Sequence, residues 1–309
     1  MKRVAVIDLG TNTFHLLVVD VDNKKLQILH KEKQSVKIGE GGISQGVIAP
    51  PAQKRALDTL HGFRQKISDM GVDQVFATAT SAFRNAANGK ELVLKIFEET
   101  GIEVRIIDGK TEAQYIFQGV RQALDIGTAD SLILDIGGGS IEFIIANNSA
   151  IRWMESFEIG AQRLMDQFHH QDPISRFEIE RLESYLDQRL GPLQKAMERF
   201  KPKTLIGSSG TFDTLSQIYC LSNGISKPTS PEQPLTPEGF KLIHNEIIHK
   251  NRSERLAIPG MIEMRADMIV VATSLIDYLL KRFQITQIRV SSYALKEGML
   301  FEVSNTIRQ

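Results

Sequence analysis

The sequence predicts an α/β protein of two related domains facing each other across a cleft. Three observations carry that expectation. A strand–turn–strand unit occurs twice, each copy places Asp-x-Gly at its turn, and 309 residues is more than one hydrophobic core usually organises. The internal repeat weighs most, because self-similarity constrains the fold before any single element does.

The first copy runs Val4-Ala5-Val6-Ile7, then Asp8-Leu9-Gly10-Thr11-Asn12-Thr13, then Phe14-His15-Leu16-Leu17-Val18-Val19-Asp20. The second runs Leu132-Ile133-Leu134, then Asp135-Ile136-Gly137-Gly138-Gly139-Ser140, then Ile141-Glu142-Phe143-Ile144-Ile145-Ala146. Short apolar, β-branched runs bounded by turn residues read as buried strands. The run after each turn is also strand-like, which argues against a Rossmann turn or a P-loop, where the glycines feed a helix. Each turn alone reads equally as an ordinary tight connection. Glycine, however, admits close backbone approach to a phosphate, and hydroxyls add donors to its oxygens. With an acid at the same place in both copies, Gly10, Thr11, Asn12 and Thr13 form one candidate phosphate cradle, and Gly137, Gly138, Gly139 and Ser140 the other.

Between the copies, Pro51 to Ile67 and Gly89 to Thr100 have amphipathic helical spacing, while Val72 to Ala77 and Ile102 to Ile107 read as strands. The crossing falls near Asp125 to Asp130, which gives domains 1–124 and 125–309. In the second half a short strand, Thr204-Leu205-Ile206, leads into Gly207-Ser208-Ser209-Gly210-Thr211 and a helix from Phe212 to Leu221. Strand, glycine loop and helix start make an anion site from free amides and the helix dipole. They also make a plain connection, and this segment alone leaves both open. Asn223 to Pro237 reads as a surface loop, with Thr236 as N-cap and Pro237 as first residue of a helix through His249.

Composition excludes several classes. Thirty-seven basic and 37 acidic residues give zero formal charge, against a general nucleic-acid or membrane-surface binder. The single cysteine, Cys220, rules out an intramolecular disulfide and a multi-cysteine zinc site, and its apolar neighbours make it a core thiol. Asp8 and Gly10 cut the N-terminal apolar run too early for a signal core, and Thr273, Ser274 and Asp277 interrupt the stretch from Met268 to Leu280. A cytoplasmic protein is expected, with no membrane or nucleic-acid partner. His169 and His170, adjacent in sequence, point apart on any regular element; Trp153 reads as core, and Arg176 to Arg189 as a solvated helix face.

The run Asp8-Leu9-Gly10-Thr11-Asn12-Thr13-Phe14-His15-Leu16 resembles the first phosphate motif of the exopolyphosphatase and guanosine pentaphosphate phosphatase (Ppx/GppA) family. Ala79-Thr80-Ser81-Ala82-Phe83-Arg84, Asp135 to Glu142, Arg265-Ala266-Asp267 and Tyr293-Ala294-Leu295-Lys296-Glu297-Gly298 are similar to further segments of that family, in the same order. The resemblance spans nearly the whole chain and implies two actin-like (ribonuclease H-like) domains. It also implies a Mg²⁺-dependent hydrolase that removes the terminal phosphate of inorganic polyphosphate. Guanosine pentaphosphate is the near alternative as substrate; a small-molecule kinase and a non-catalytic sensor of polyphosphate or an alarmone are the more distant ones.

The resemblance assigns roles as well. Glu112, otherwise readable as a solvated acid at a helix start, becomes the general base. Arg84 becomes a phosphate-binding catalytic residue, and Gly207, Ser208, Ser209, Gly210 and Thr211 match the superfamily's nucleoside-binding segment. Asp135 and Glu142 are hard oxygen donors flanking the glycine turn and suit Mg²⁺, with Asp8, the equivalent acid of the first copy, a lesser candidate; each also reads as a turn-capping carboxylate that accepts backbone N–H bonds. Some residues depart from the family pattern: Thr11 and Thr13 replace Ser, Thr111 stands where a first acid is usual, and Lys296 replaces Arg. Ending at Gln309, the chain resembles the short two-domain form, and a homodimer is left open.

Overall fold

The computed structural model describes residues 2–22, 26–226 and 228–308. Met1 at the head of the N-terminal run, Lys227 in the expected surface loop and the terminal Gln309 lie outside them. By internal contact the chain forms two compact units. One is Met1–Gly119 with Gly137–Gly139 and Leu295–Gln309, and the other is Val120–Ile136 with Ser140–Ala294.

In the first unit β1 (Lys2–Leu9), β2 (Thr13–Val21) and β3 (Leu26–Ser35) form an antiparallel meander. The helix α1 (Pro50–Asp69) opens with proline at its first turn and buries Ala52, Ala56, Leu60, Phe63 and Ile67 along one stripe. It returns the chain to β4 (Gln74–Ala79), parallel to β1. Next come α2 (Ser81–Asn85) and α3 (Gly89–Thr100), the latter closed by Gly101 at φ +67°, a left-handed position that favours glycine. Parallel β5 (Val104–Ile106) and α4 (Gly109–Ala123) complete the pattern. The strand order is β3-β2-β1-β4-β5.

The second unit repeats it. β6 (Ser131–Ile136), β7 (Ile141–Ala146) and β8 (Ile151–Phe157) are antiparallel, and every residue of β6 and β7 is buried. Helices α5 (Ala161–Phe168), α6 (Arg176–Arg189) and α7 (Gly191–Phe200) lead to β9 (Thr204–Ser208), parallel to β6. Ser175 and Glu178 close a capping box on α6. After α8 (Ser209–Ser222) a two-residue strand, β10 (Glu232–Gln233), lies inside the segment expected to be loop. Then follow α9 (Pro237–His249), N-capped by Thr236, α10 (Arg252–Leu256), α11 (Ile269–Phe283) and β11 (Gln287–Ser291), which is parallel to β9. The order is β10-β11-β9-β6-β7-β8, so without β10 the two sheets have the same arrangement of three antiparallel and two parallel strands. This is a duplicated ribonuclease H-like α/β fold of the actin-like class. Among the described residues no helix is long and apolar enough to cross a membrane.

The unit boundaries differ from the sequence expectation of 1–124 and 125–309. The second unit begins at Val120, inside α4, and the last helix, α12 (Leu295–Arg308), belongs with the first. It packs on β1 and β2, and Thr78 Oγ1 donates to Met299 Sδ at 3.1 Å. A helix so far along the chain gives no local sign of which sheet will receive it.

Two glycines in helices of the first unit test this packing with opposite signs. A Cβ on Gly298 would lie 1.8 Å from the Tyr115 carbonyl oxygen, whereas nothing stands within 4 Å of one on Gly62 in α1. Gly298→Ala is expected to lower stability by about 1–3 kcal/mol, and Gly62→Ala to raise it by about 0.5–1 kcal/mol. Denaturant melts of both variants check this; equal effects would contradict the packing of α12.

Candidate active site

The first turn is tight. Gly10 N–H donates to Thr13 O at 3.1 Å, and a Cβ on Gly10 would stand 3.0 Å from that oxygen. Thr11, Asn12 and Thr13 are buried. The Asn12 carbonyl accepts from the N–H groups of Val36 and Lys37, and the Thr11 carbonyl from Gly39 N–H, which fixes the turn against the segment after β3. Thr13 Oγ1 lies 3.2 Å from His15 Nε2.

Gly137, Gly138 and Gly139 of the second turn group with the first unit, and their contacts give the glycines a reason beyond phosphate approach. A Cβ on Gly138 would fall 2.4 Å from Asn12 Nδ2, and one on Gly139 would fall 2.5 Å from Ser81 Oγ and 2.6 Å from Thr11 Oγ1. Both turns and the start of α2 are thus one packed group of hydroxyls, amides and backbone. Ser140, buried, begins the return to the second unit.

On either side of that turn stand Asp135 and Glu142, directly opposite each other in the β6–β7 register and only 5% and 2% exposed. Ser208 Oγ donates to Asp135 Oδ2 at 3.1 Å, and Ser156 Oγ to Glu142 Oε1 at 2.6 Å. Like charges directly opposite on a sheet repel. Two buried carboxylates with hydroxyl neighbours fit Mg²⁺, which takes one or two protein carboxylates and fills its shell with water and phosphate oxygens. No cluster of three or more His, Cys, Asp or Glu side chains suited to a metal occurs among the described residues. Asp8 holds the corresponding place at the end of β1, opposite His15.

The glycine loop 207–211 is mostly helix. The chain leaves β9 at Ser208 and enters α8 at Ser209, whose φ of +73° is left-handed in a non-glycine residue. That one residue turns strand into helix three positions before the periodicity at Phe212 announces it. Gly207 makes room for Phe212, whose ring would lie 2.0 Å from a Cβ there. Gly210 makes room for Arg265, whose Nη2 would lie 2.1 Å from one. Thr211 is buried at the first turn of α8.

Arg265 was legible only as part of an Arg-Ala-Asp segment, with no site role. The structure buries it to 7% exposure beside Asp213 and Asp135, and its Nε finds no hydrogen-bond partner among the described residues. Burial pushes the guanidinium below the usual arginine value, against the pull of Asp213 and Asp135.

Arg84 and Glu112 meet. Arg84 Nη1, near the end of α2, donates to Glu112 Oε2 at 3.0 Å and to the Ile107 carbonyl at 3.0 Å. Glu112, in the first turn of α4, is 6% exposed and hence no solvated acid. Thr111, in the place of a first acid, holds the helix start. Its N–H donates to Asp108 Oδ1 at 2.7 Å, and its backbone and side-chain hydrogen bonds bring the Asp108 carboxyl below its usual value. His169 lies beside Asp172 while the His170 ring meets the Gln167 carbonyl, so the pair diverges. Trp153 is half-buried against the core and Cys220 is buried.

Two ribonuclease H-like units, each with an aspartate at the same strand end ahead of a hydroxyl-bearing turn, define an enzyme of the phosphate-handling class. The family model described as the Ppx/GppA phosphatase family matches residues 17–306, and the chain belongs to that family. It is similar to the crystal structure of an exopolyphosphatase from Cytophaga hutchinsonii, with a TM-score of 0.95 and 45% identity over 99% of this chain and 98% of that one. Exopolyphosphatase 1 of Mycobacterium tuberculosis is 27% identical over 300 residues, 96% of this chain and 87% of its own length. The structure of the Aquifex aeolicus PPX-GPPA enzyme has a TM-score of 0.79 and 25% identity, covering 97% of this chain and 99% of that one. The chain is a phosphatase.

Removing either partner of the buried ion pair is expected to have unequal cost. Arg84→Met leaves the Glu112 carboxylate buried without its cation and should destabilise by about 3 kcal/mol. Glu112→Gln leaves Arg84 its bond to Ile107 and should cost about 1–2 kcal/mol. Chemical denaturation of the two variants measures the difference, and equal losses would contradict it.

Proposed function

We propose that this phosphatase is an exopolyphosphatase, hydrolysing the terminal phosphoanhydride of inorganic polyphosphate with Mg²⁺ and releasing orthophosphate. The observation that carries the choice of substrate is the whole-length likeness, at 45% identity, to the Cytophaga hutchinsonii exopolyphosphatase. The chemistry follows from the Arg84–Glu112 pair. Arg84 engages Glu112 Oε2 and fixes the plane of the carboxylate, so that Glu112 orients a water towards the terminal phosphorus and accepts its proton. As the water oxygen bonds to phosphorus, the bridging P–O bond breaks and its electron pair stays on the shortened chain. The guanidinium of Arg84 offsets charge on the terminal phosphate oxygens as the transition state forms.

Asp135 and Glu142 would hold Mg²⁺, which when bound neutralises phosphate oxygens and so favours departure of the chain. Gly10 to Thr13, Gly137 to Ser140 and the amides at the start of α8 supply further donors to phosphate oxygens. Arg265, a buried cation, adds a fixed positive charge beside Asp135 in the second unit. Gly207 and Gly210 are already occupied by Phe212 and Arg265, which supports an inorganic chain over a nucleoside on that loop.

The test is phosphate release from long-chain polyphosphate and from guanosine pentaphosphate, with and without Mg²⁺, by wild type and Glu112→Gln. Polyphosphate should be the better substrate, release should need Mg²⁺, and the variant should lose about 10²–10⁴-fold in kcat. Preference for guanosine pentaphosphate, or full turnover by the variant, would contradict the proposal.

A further inference from the structure

The two sheets carry the same row of positions across their strands, and the rows differ in charge. In the first unit the row through the central aspartate is Lys33 on β3, His15 on β2, Asp8 on β1, Thr78 on β4 and Arg105 on β5. In the second it is Ser156 on β8, Glu142 on β7, Asp135 on β6, Ser208 on β9 and Ser291 on β11. Residues directly paired across strands place their side chains on one face of the sheet. The hydrogen bonds from Ser156 to Glu142 and from Ser208 to Asp135 show each carboxylate of the second row in contact with a hydroxyl beside it in the row.

The first row therefore sets one carboxylate beside an imidazole, with a lysine and an arginine further along. The second sets two carboxylates among three hydroxyls, and with Asp213 added to the count it stays acidic even against Arg265. Mg²⁺ is a hard ion that prefers oxygen donors and is repelled by cations in its row. His15 holds the place of the second carboxylate, and its Nε2 is engaged with the Thr13 hydroxyl at 3.2 Å.

We infer that His15 is the residue that confines Mg²⁺ to the second unit. Asp8, despite its equivalence to Asp135, is not a ligand, and the duplicated motif binds one ion per chain. The two turns have divided their labour: one row takes the cation, while the other, net basic with two cations to one carboxylate, leaves Thr11 to Thr13 to phosphate oxygens. This inference rests on the assignment of Mg²⁺ to Asp135 and Glu142 proposed above.

Equilibrium dialysis of the full-length chain against Mg²⁺ alone, without any phosphate, tests it by stoichiometry. Wild type should bind one ion, Asp8→Asn one, Glu142→Gln none and His15→Glu two. His15→Asp is read in the same way should the longer side chain perturb folding, which circular dichroism monitors. Loss of the ion in Asp8→Asn, or a folded His15→Glu or His15→Asp protein that still binds one, would overturn the role of His15 while leaving Asp135 and Glu142 as ligands. Retention of the ion by Glu142→Gln would instead overturn the metal assignment itself, and this inference with it.

Discussion

The register between the central strand of each sheet and its antiparallel neighbour is the constraint on which the candidate site depends. Side chains alternate across a sheet, so a slip by one residue would send Asp8 and His15, or Asp135 and Glu142, to the opposite face. Buried neighbours on the same strands resist that slip. Ile7, Leu9, Phe14 and Leu16 flank the first polar pair, and Leu134, Ile136, Ile141 and Phe143 flank the second, all buried. Moving any of the four acids and bases off its face would press it into the buried apolar layer on the other side, where a polar group without its partners is costly. Hydrophobic packing thus holds the polar geometry, although none of the apolar residues takes part in the chemistry.

Around this frame the fold keeps several charges out of water, each beside an opposite charge or a hydroxyl. Glu112 is held by Arg84, Asp135 and Glu142 by serine hydroxyls, and Arg265 sits beside two aspartates. The two residues after Arg265 are tied down: Arg255 Nε donates to the Ala266 carbonyl at 2.7 Å, and Arg252 Nε pairs with Asp267 at 3.1 Å. Arg255 is in turn tied to Asp172 at 2.6 Å. Buried pairs of this kind add little net stability, because desolvation consumes much of their Coulomb energy. Their value lies in fixing groups before a substrate arrives, which is where electrostatic catalysis draws its strength.

Local chemistry was readable from the sequence wherever it decided the structure. Both hairpins, the helix over Gly89 to Thr100 and the Thr236–Pro237 helix start follow from periodicity, β-branching and capping residues. What depends on contacts distant in sequence was not readable. Arg84 and Glu112 are 28 positions apart, and nothing in either segment announces their pairing. In the sequence the glycines suggest openings for phosphate, yet Gly138, Gly139, Gly207 and Gly210 also accommodate side chains contributed by Asn12, Ser81, Phe212 and Arg265. α12 carries no mark of the sheet it joins, and the left-handed Ser209 starts α8 where composition alone shows only a flexible connection.

The central claim is that water, oriented by Glu112, attacks the terminal phosphorus of a polyphosphate chain. Turnover of polyphosphate in water enriched in heavy oxygen, followed by mass analysis of both products, reads the position of attack directly. The account predicts one heavy oxygen in each orthophosphate released and none at the new end of the shortened chain. Label appearing in the shortened chain would mean attack at an inner phosphorus and would contradict it.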